Sequence, residues 1–258
     1  MGKKKSTDRI QSVERVVHIL DQFSAERPEL RFTEIVERTG LNKSTAFNLI
    51  STLEALDLLE QDEVTRSYRL GVHLMKLGEI AKKSIKIIDI AKPFMAELRD
   101  SVNETVQLAK LENGFAVYLE KVESFHPIKT NSERGDTIPA YVSGLGKALL
   151  AYRSGDYIEE YIPETLKRYT VNTIGSRAEL LDALKRVRAE GMAKDNGEFI
   201  EDLVCFAVPI FDYKGQVNYA VSVSVPSYRL TPEQEEVLKP GIISAARKIS
   251  AELGYPGR

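Results

Sequence analysis

Cysteine and histidine are scarce in this sequence, and their scarcity excludes several kinds of site. A single cysteine, Cys205, cannot form a disulfide within the chain, which fits a protein of the reducing cytoplasm. His18, His73 and His126 are too few and too scattered to match a metal-site pattern. We therefore expect no metal centre, and no motif in the chain indicates a cofactor.

Long apolar runs and a strong charge of one sign are also missing. No stretch approaches the roughly 20 apolar residues of a membrane span, so no membrane partner is expected. The basic start, Met-Gly-Lys-Lys-Lys-Ser, has no apolar segment behind it and does not match a secretory signal. A formal net charge of −2 argues against a general polyanion binder. The 258 residues, 43% of them hydrophobic, have room for a small and a larger packed domain.

Residues 33–56 carry the most informative pattern in the chain. They predict a short helix, a turn at Gly40 and a second helix with an apolar stripe at three- and four-residue steps. That stripe consists of Ala46, Leu49, Ile50, Leu53 and Leu56. The opposite face is polar but has no acid before Glu54, which suits a helix in a DNA major groove better than one that needs only solubility. Taken alone, the segment fits an ordinary helical hairpin about equally well.

The flanking segments favour DNA binding. Upstream, apolar residues predict an amphipathic supporting helix of roughly fifteen residues. They are Val13, Val16, Val17, Leu20 and Phe23. Downstream, residues 58–70 predict a β-hairpin with a polar turn at residues 62–65, and a hairpin directly after a recognition helix is a wing. We therefore expect residues 1–72 to form a winged helix-turn-helix domain, mostly α with a β-hairpin wing, that binds double-stranded operator DNA.

The predicted DNA contacts come from the first helix, the recognition helix and the wing. They are Ser12, Arg15, Asn42, Lys43, Ser44, Thr45, Phe47, Asn48, Arg66 and Arg69. Residues 1–72 are not basic overall, since they contain eleven Lys plus Arg and twelve Asp plus Glu. The charges are segregated, however, with the arm from Lys3 to Arg9 on the expected DNA side and acids such as Glu34 and Glu60 elsewhere. DNA binding is therefore expected to be strongly salt-sensitive.

Residues 73–91 are predicted to form a linker region. A helix from about residue 73 to 86 would place Leu74, Leu77, Ala81 and Ile85 on one face. We expect this stripe to pack on its copy in a dimer, and packing within the chain is the alternative. A second helix carries Ile90, Phe94, Leu98 and Val102, and Pro93 either begins it or bends it.

Residues 92–258 alternate strands and helices and predict an α+β sensor domain. Strands are expected at residues 106–111, 116–122, 128–130, 204–211 and 217–225. A helix should follow Ser143, and another should begin at a capping box, Ser176 to Glu179, and end near Gly191. A last helix should begin after Thr231 and reach about Leu253.

Several motifs resemble a known family. Residues 10–15, Ile-Gln-Ser-Val-Glu-Arg, and residues 41–45, Leu-Asn-Lys-Ser-Thr, are similar to the winged helix of the IclR family of bacterial transcriptional regulators. Residues 144–151 resemble its effector-domain loop and helix. The most specific match runs from Gly191 to Glu198 and from Cys205 to Asp212. The chain departs from the family at Phe206, where an aliphatic residue is usual, which hardly affects the fold. It also departs at Asn48, where a basic residue is common, so an operator sequence cannot be borrowed.

The resemblance implies a GAF-like effector domain that binds a small metabolite, often a carboxylate, in a dimer or dimer of dimers. The residues themselves support an anion site at Gly144, Leu145 and Gly146, because free amides at a helix start attract a carboxylate. Glycines needed only for packing are the alternative. Ser222 and Ser224 share one face of an otherwise apolar strand, which indicates either a polar pocket wall or satisfied core hydroxyls.

The expected effector-binding set combines these positions. It consists of Ser143, Gly144, Leu145, Asp195, Leu203, Cys205, Ser222 and Ser224. Asp195 disfavours a second anionic group, so we expect a monoacid with a hydroxyl or keto group, such as a sugar acid or hydroxybenzoate. The chain is thus predicted to be a DNA-binding repressor controlled by such an acid. A thiol enzyme built on Cys205, for which His126 is the only histidine of the sensor domain that could act as base, and a sensor module without DNA binding are the alternatives.

Overall fold

The computed structural model describes residues 10–24, 26–84, 86–127 and 132–257, with the backbone alone for residues 81–84. The predicted basic arm before residue 10, the strand predicted at residues 128–130 and the linker side chains of Ala81 and Ile85 lie outside the described residues. The chain divides into two compact units between residues 85 and 86. Within the described ranges, no helix is long and apolar enough to cross a membrane.

The first unit is the predicted winged helix-turn-helix. Its helices are α1 (Gln11–Leu20), α2 (Phe32–Thr39), α3 (Lys43–Ala55) and α4 (Val72–Ser84). Its strands are β1 (Glu29–Arg31), β2 (Leu59–Gln61) and β3 (Ser67–Leu70), which form an antiparallel sheet in the order β1-β3-β2. Gly40 ends α2 in the left-handed conformation at φ +66°, which confirms the predicted turn between the two helices.

The core of this unit corrects two sequence predictions. α1 has ten residues rather than fifteen, and it buries Ile19, while Val13 and Val17 stay exposed because only one side of its C-terminal half meets the core. Leu56 is 57% exposed, although it continues the apolar stripe of Ala46, Ile50 and Leu53 in sequence. The reason is that α3 ends before it. Leu56 is the C-cap and Asp57 is left-handed at φ +57°, so the helical period no longer applies.

The second unit is the predicted α+β domain. Its helices are α5 (Lys86–Val102), α6 (Gly144–Leu150), α7 (Gly155–Tyr161), α8 (Arg177–Glu190) and α9 (Pro232–Glu252). Its strands are β4 (Thr105–Glu112), β5 (Phe115–Val122), β6 (Thr137–Pro139), β7 (Ala193–Asn196), β8 (Leu203–Phe211) and β9 (Val217–Pro226). They form one antiparallel sheet in the order β6-β5-β4-β9-β8-β7. α6 packs on one face of the sheet, while α9 packs on the face that carries Phe206, with α5 beside it.

The helix ends of this unit follow local chemistry. Thr231 caps α9 in a complete capping box, as predicted, and Gly191 ends α8 in the left-handed conformation. Ser176 caps α8 as predicted, but the carboxylate of Glu179 accepts a hydrogen bond from the amide of Gly175 instead of closing the box. Pro93 does not begin a helix, which was one of its two predicted roles, because it lies inside α5, which already starts at Lys86.

The described residues also include elements that sequence patterns missed. Strands β1 and β7 have three and four residues, and α7 has seven, which is too short for a clear period. In α5, the predicted stripe is buried only at Leu98, because Ile90, Phe94 and Val102 are half-buried. The residues that α5 buries are Ile87, Ile88, Ala91, Met95 and Leu98.

Candidate DNA-binding surface and effector site

The start of α3 is held by two of the predicted DNA-binding residues. Asn42 is the N-cap, and its Oδ1 accepts hydrogen bonds from the amide of Thr45 at 2.8 Å and from the hydroxyl of Ser44 at 2.9 Å. The hydroxyl proton of Ser44 is therefore used within the helix start. Asn42 and Ser44 therefore stabilise the start of the helix, in addition to their predicted contacts with DNA.

The exposed side of α3 is free of acid for its first turns. Lys43, Phe47, Asn48 and Ser51 are exposed on it, opposite the buried Ala46, Ile50 and Leu53. The ring of Phe47 meets the ring of Phe32 in α2 edge-on, with centroids 6.4 Å apart. The helix therefore presents one cation, an aromatic ring and small polar groups, as the sequence predicts.

The wing shows a correction to the predicted charge segregation. Strand register places Glu60 opposite Arg69, and the carboxylate and guanidinium form an ion pair at 2.7 Å. Glu60 therefore lies on the wing beside a predicted DNA contact and not away from it. Asp62 fixes the turn by accepting hydrogen bonds from the amides of Val64 and Thr65. In the first helix, Ser12 is exposed and Arg15 is half-buried.

The Glu60–Arg69 pair leads to a prediction on salt dependence. Arg69→Ala should weaken binding to all DNA sequences alike and lower the slope of log affinity against log salt by about 1, because one phosphate contact is lost. Glu60→Gln is the matched variant, and it should strengthen binding to all sequences because it frees Arg69 and removes a negative charge. Fluorescence anisotropy at several salt concentrations, on upstream DNA and a scrambled duplex, measures both. Unchanged slopes in both variants would place the wing away from DNA.

In the second unit, strand pairing gathers predicted effector residues on one face of the sheet. Asp195, Cys205 and Ser224 lie side by side on β7, β8 and β9, and residues paired across antiparallel strands point to the same face. Ser222 lies one row further along, and Leu203, which is half-buried, lies one row before. The structure thus brings together five positions that are far apart in the sequence.

Helix α6 lies directly over this face. A Cβ on Gly144 would lie 3.3 Å from the carbonyl oxygen of Cys205 and 3.4 Å from the Cβ of Ala207. Ser143 caps the helix, as predicted, by accepting a hydrogen bond from the amide of Gly146 at 3.0 Å. A Cβ on Gly146 would lie only 2.1 Å from the carbonyl oxygen of Ala140. Close packing therefore explains both glycines.

This packing predicts unequal effects of two glycine substitutions. Gly146→Ala should destabilise the protein by roughly 1–3 kcal/mol or more, because its methyl group would overlap the backbone of Ala140. Gly155→Ala is the matched control at the start of α7, where a Cβ would meet nothing within 4 Å. It should be neutral or stabilise by about 0.4–1 kcal/mol. Urea unfolding measures both, and equal midpoints would contradict the packing assignment.

Gln107 joins the serine hydroxyls into one network. Its Oε1 accepts hydrogen bonds from Ser224 at 2.8 Å and from Ser222 at 3.3 Å, and its amide nitrogen donates to the hydroxyl of Ser132. The thiol of Cys205 lies 3.2 Å from the hydroxyl of Ser224. Sequence reasoning missed Gln107, although it alternates with apolar residues on β4 in the way that the two serines do on β9.

Three charged side chains are buried beside this network. Lys147, on α6, donates to a carboxylate oxygen of Glu198 and to the carbonyl of Lys194 at 2.8 Å. The amide of Glu198 donates to Asp195 at 2.8 Å, and Oε2 of Glu198 has no hydrogen-bond partner among the described residues. Burial raises the pKa of Asp195 to about 7, and the charge of Glu198 adds to that effect, while the amide of Glu198 and the cation of Lys147 oppose it.

Sequence reasoning also missed three further members of this buried polar cluster, which are Lys147, Glu198 and Tyr118. Tyr118 pairs with Ala109 on the same face of the sheet. Burial, followed by the charges of Cys205 and Asp195, raises the pKa of its phenol. A lysine inside the otherwise apolar Gly-Leu-Gly-Lys-Ala-Leu-Leu-Ala was the available signal for Lys147, since every residue of α6 is buried.

The surroundings of Cys205 argue against nucleophilic catalysis. Desolvation, and then the charge of Asp195, raise the pKa of its thiol well above the usual value. Its hydrogen-bond partner is Ser224, whereas the ring of His126 lies 3.2 Å from the amide of Asn103 and 3.8 Å from the carboxylate of Glu104. The thiolate that a cysteine enzyme needs is therefore disfavoured.

The geometry defines a class of protein. A winged helix-turn-helix whose recognition helix has no acid before Glu54 precedes an α+β domain whose sheet carries a buried polar cluster, and that combination is typical of DNA-binding transcriptional regulators that sense a ligand. The model of the IclR helix-turn-helix domain matches residues 12–63, and that of the bacterial transcriptional regulator IclR C-terminal domain matches residues 80–251. The chain belongs to the IclR family of transcriptional regulators and is not an enzyme.

Individual relatives agree with the family. The HTH-type transcriptional regulator KdgR of Escherichia coli is 35% identical over 97% of this chain and 95% of that protein. The DNA-binding transcriptional repressor YiaJ of Escherichia coli is 31% identical over 94% of this chain and 86% of that protein. An IclR homologue from Microbacterium hydrocarbonoxydans, solved with 4-hydroxybenzoate, has a TM-score of 0.80 and 25% identity over 94% of this chain and 99% of that chain.

Proposed function

We propose that the protein is a transcriptional repressor whose operator binding is controlled by a small organic acid bound in the C-terminal domain. Residues 1–72 contact the operator, residues 73–91 link the domains and residues 92–258 bind the effector. The observation that carries the proposal is the row formed by Asp195, Cys205 and Ser224 beneath α6. Burying a polar side chain costs free energy unless hydrogen bonds satisfy it, and a polar ligand can supply such hydrogen bonds.

The chemistry of this cluster favours a hydroxy or keto carboxylate. Asp195, with a pKa of about 7, carries a proton in part of the molecules at neutral pH, so its carboxyl group can donate to a ligand carboxylate. Ser222, Ser224 and Tyr118 bring hydroxyl groups that donate to or accept from a ligand hydroxyl or keto group. The 4-hydroxybenzoate bound by a homologue belongs to the same chemical class. α6 has only seven residues, so we assign the hydroxyl and carboxyl groups a larger share than its amides.

Repression and self-association are further parts of the proposal. The relative YiaJ is named a repressor, which favours that sign of regulation. Helix α4 exposes several large apolar side chains, Val72, Met75, Leu77 and Ile80, which a second copy would cover in a dimer or dimer of dimers. The lone Cys205 fits action in the reducing cytoplasm.

A gel-shift assay against DNA upstream of the protein's own gene tests the proposal. The assay should include a panel of hydroxy and keto monocarboxylates, with 4-hydroxybenzoate among them, and matched dicarboxylates as controls. We expect specific binding to the ligand-free protein and release by at least one monoacid. If scrambled DNA competes for the protein as well as the upstream DNA does, operator recognition would be contradicted. Release by dicarboxylates alone would contradict the effector class.

A further inference from the structure

We propose that α3 recognises a half-site in which a thymine and an adenine occupy neighbouring base pairs, with Phe47 against the thymine 5-methyl group and Asn48 on the adenine. The inference rests on the proposed recognition surface and adds the bases that it selects. It follows from the exposed side chains of this chain's own helix.

Phe47 is an apolar ring fixed on a polar surface. It is 59% exposed, and Ile50 and Leu53 already fill the core on the opposite side of the helix. Its edge-on contact with Phe32 holds the ring at the surface, because the two centroids are 6.4 Å apart at an angle of 75°. In a major groove lined by donors and acceptors, the thymine methyl is the apolar group available to such a ring. Phe47 therefore selects for thymine.

The side-chain amide of Asn48 offers the hydrogen-bond acceptor and donor that adenine requires. It is exposed, and its side-chain amide makes no hydrogen bond within the described part of the chain. Two neighbouring hydroxyls are already used, since Ser44 donates to Asn42 and Thr52 donates to the carbonyl of Asn48. The free amide can accept from adenine N6 and donate to N7 at the same time. Asn48 therefore selects for adenine.

The middle of α3 has no cation, so it cannot make the bidentate contact by which proteins usually recognise guanine. A bidentate contact to guanine O6 and N7 needs Arg or Lys. Lys43, at the first position of α3, is the only cation between residues 43 and 55. Phe47 and Asn48 are consecutive, about 1.5 Å apart along the helix axis and about 100° apart around it. Because the two side chains leave the helix in different directions, they reach neighbouring base pairs, which are about 3.4 Å apart.

Selection from a randomised duplex pool, followed by single-atom changes in the selected DNA, tests the inference. Deoxyuridine in place of the thymine removes the methyl group, and 7-deazaadenine in place of the adenine removes N7. The wild-type protein should lose about 4-fold in affinity with deoxyuridine and roughly 5- to 150-fold with 7-deazaadenine. Phe47→Ala should bind thymine and uracil duplexes equally while keeping its preference for adenine. Asn48→Ala should show the reverse.

Two further variants keep the test decisive. Ser51→Ala, exposed one turn further along α3, is the matched control and should keep both preferences. Phe47→Leu retains an apolar contact and should keep part of the thymine preference even if Phe47→Ala proves unstable by circular dichroism. Equal wild-type binding to thymine and uracil duplexes, or a selected half-site without neighbouring thymine and adenine, would overturn the inference. A pool that yields no preferred duplex would instead overturn operator recognition by α3, and with it the proposed function.

Discussion

Replacing Ser222 and Ser224 together with alanine is expected to abolish the response of operator binding to the effector while leaving binding by the ligand-free protein intact. Both hydroxyls donate to Gln107; Ser224 lies in the row that also contains Asp195 and Cys205, and Ser222 lies in the next row. A ligand that binds there must exchange partners with these hydroxyls. Coupling between two sites typically amounts to about 1–3 kcal/mol, or roughly 5- to 150-fold in operator affinity, and that is the range the double variant should lose.

The measurement must separate this result from simple destabilisation. Operator affinity is compared with and without an active monoacid, and unfolding by urea is followed in parallel. Loss of both hydroxyls leaves Oε1 of Gln107 buried without these donors, which costs about 1–3 kcal/mol in stability. Ser250→Ala is the matched control, because Ser250 is a buried serine on α9 with its own hydrogen bonds. A double variant that is less stable but responds fully would show that the two serines are core residues.

Asp195→Asn is expected to stabilise the protein at neutral and alkaline pH. Because burial moves the pKa of Asp195 from 3.8 to about 7, the folded protein holds a proton that the unfolded chain releases. The favourable contribution is complete below about pH 4, and it is lost as pH rises through about 7. The full difference corresponds to about 4 kcal/mol, an order-of-magnitude figure for a carboxyl group packed beside Glu198 and Lys147.

Unfolding curves between pH 4 and pH 8 test this expectation. Asparagine keeps the size of the side chain and can still accept the hydrogen bond from the amide of Glu198, but it does not ionise. The variant and the wild type should therefore be equally stable near pH 4 and diverge steadily toward pH 8. Asp182→Asn is a suitable control, since Asp182 is an exposed partner of Lys185 on α8. A constant difference across the pH range would contradict the raised pKa.

The winged helix was predictable because its signals are local. The apolar residues of α3 repeat with the helical period, Gly40 adopts the left-handed conformation that ends a helix, and the Asp62 turn joins two short strands. Errors arose where the chain leaves a regular element. Leu56 follows the apolar pattern but lies just past the end of α3, and the pattern alone does not show at which residue the helix ends.

The effector cluster was predictable only in part. Ser222 and Ser224 were found because two polar residues at a spacing of two stand out on an apolar strand. Gln107 gives the same signal on β4, but its importance depends on β4 lying beside β9, which are more than a hundred residues apart in the chain. The effector class was inferred on the assumption of a charged Asp195, and burial changes that charge near pH 7.

The sequence by itself determined the two-domain plan, most of the helices and strands, and the absence of acid from α3 before Glu54, because periodicity, caps and turns act over a few residues. Only the tertiary structure decided which side chains meet. Strand order placed Asp195 beside Cys205 and Ser224, close packing explained Gly144 and Gly146, and register paired Glu60 with Arg69. Such contacts depend on distant segments and on exclusion of water, and neither a spacing nor a composition encodes them.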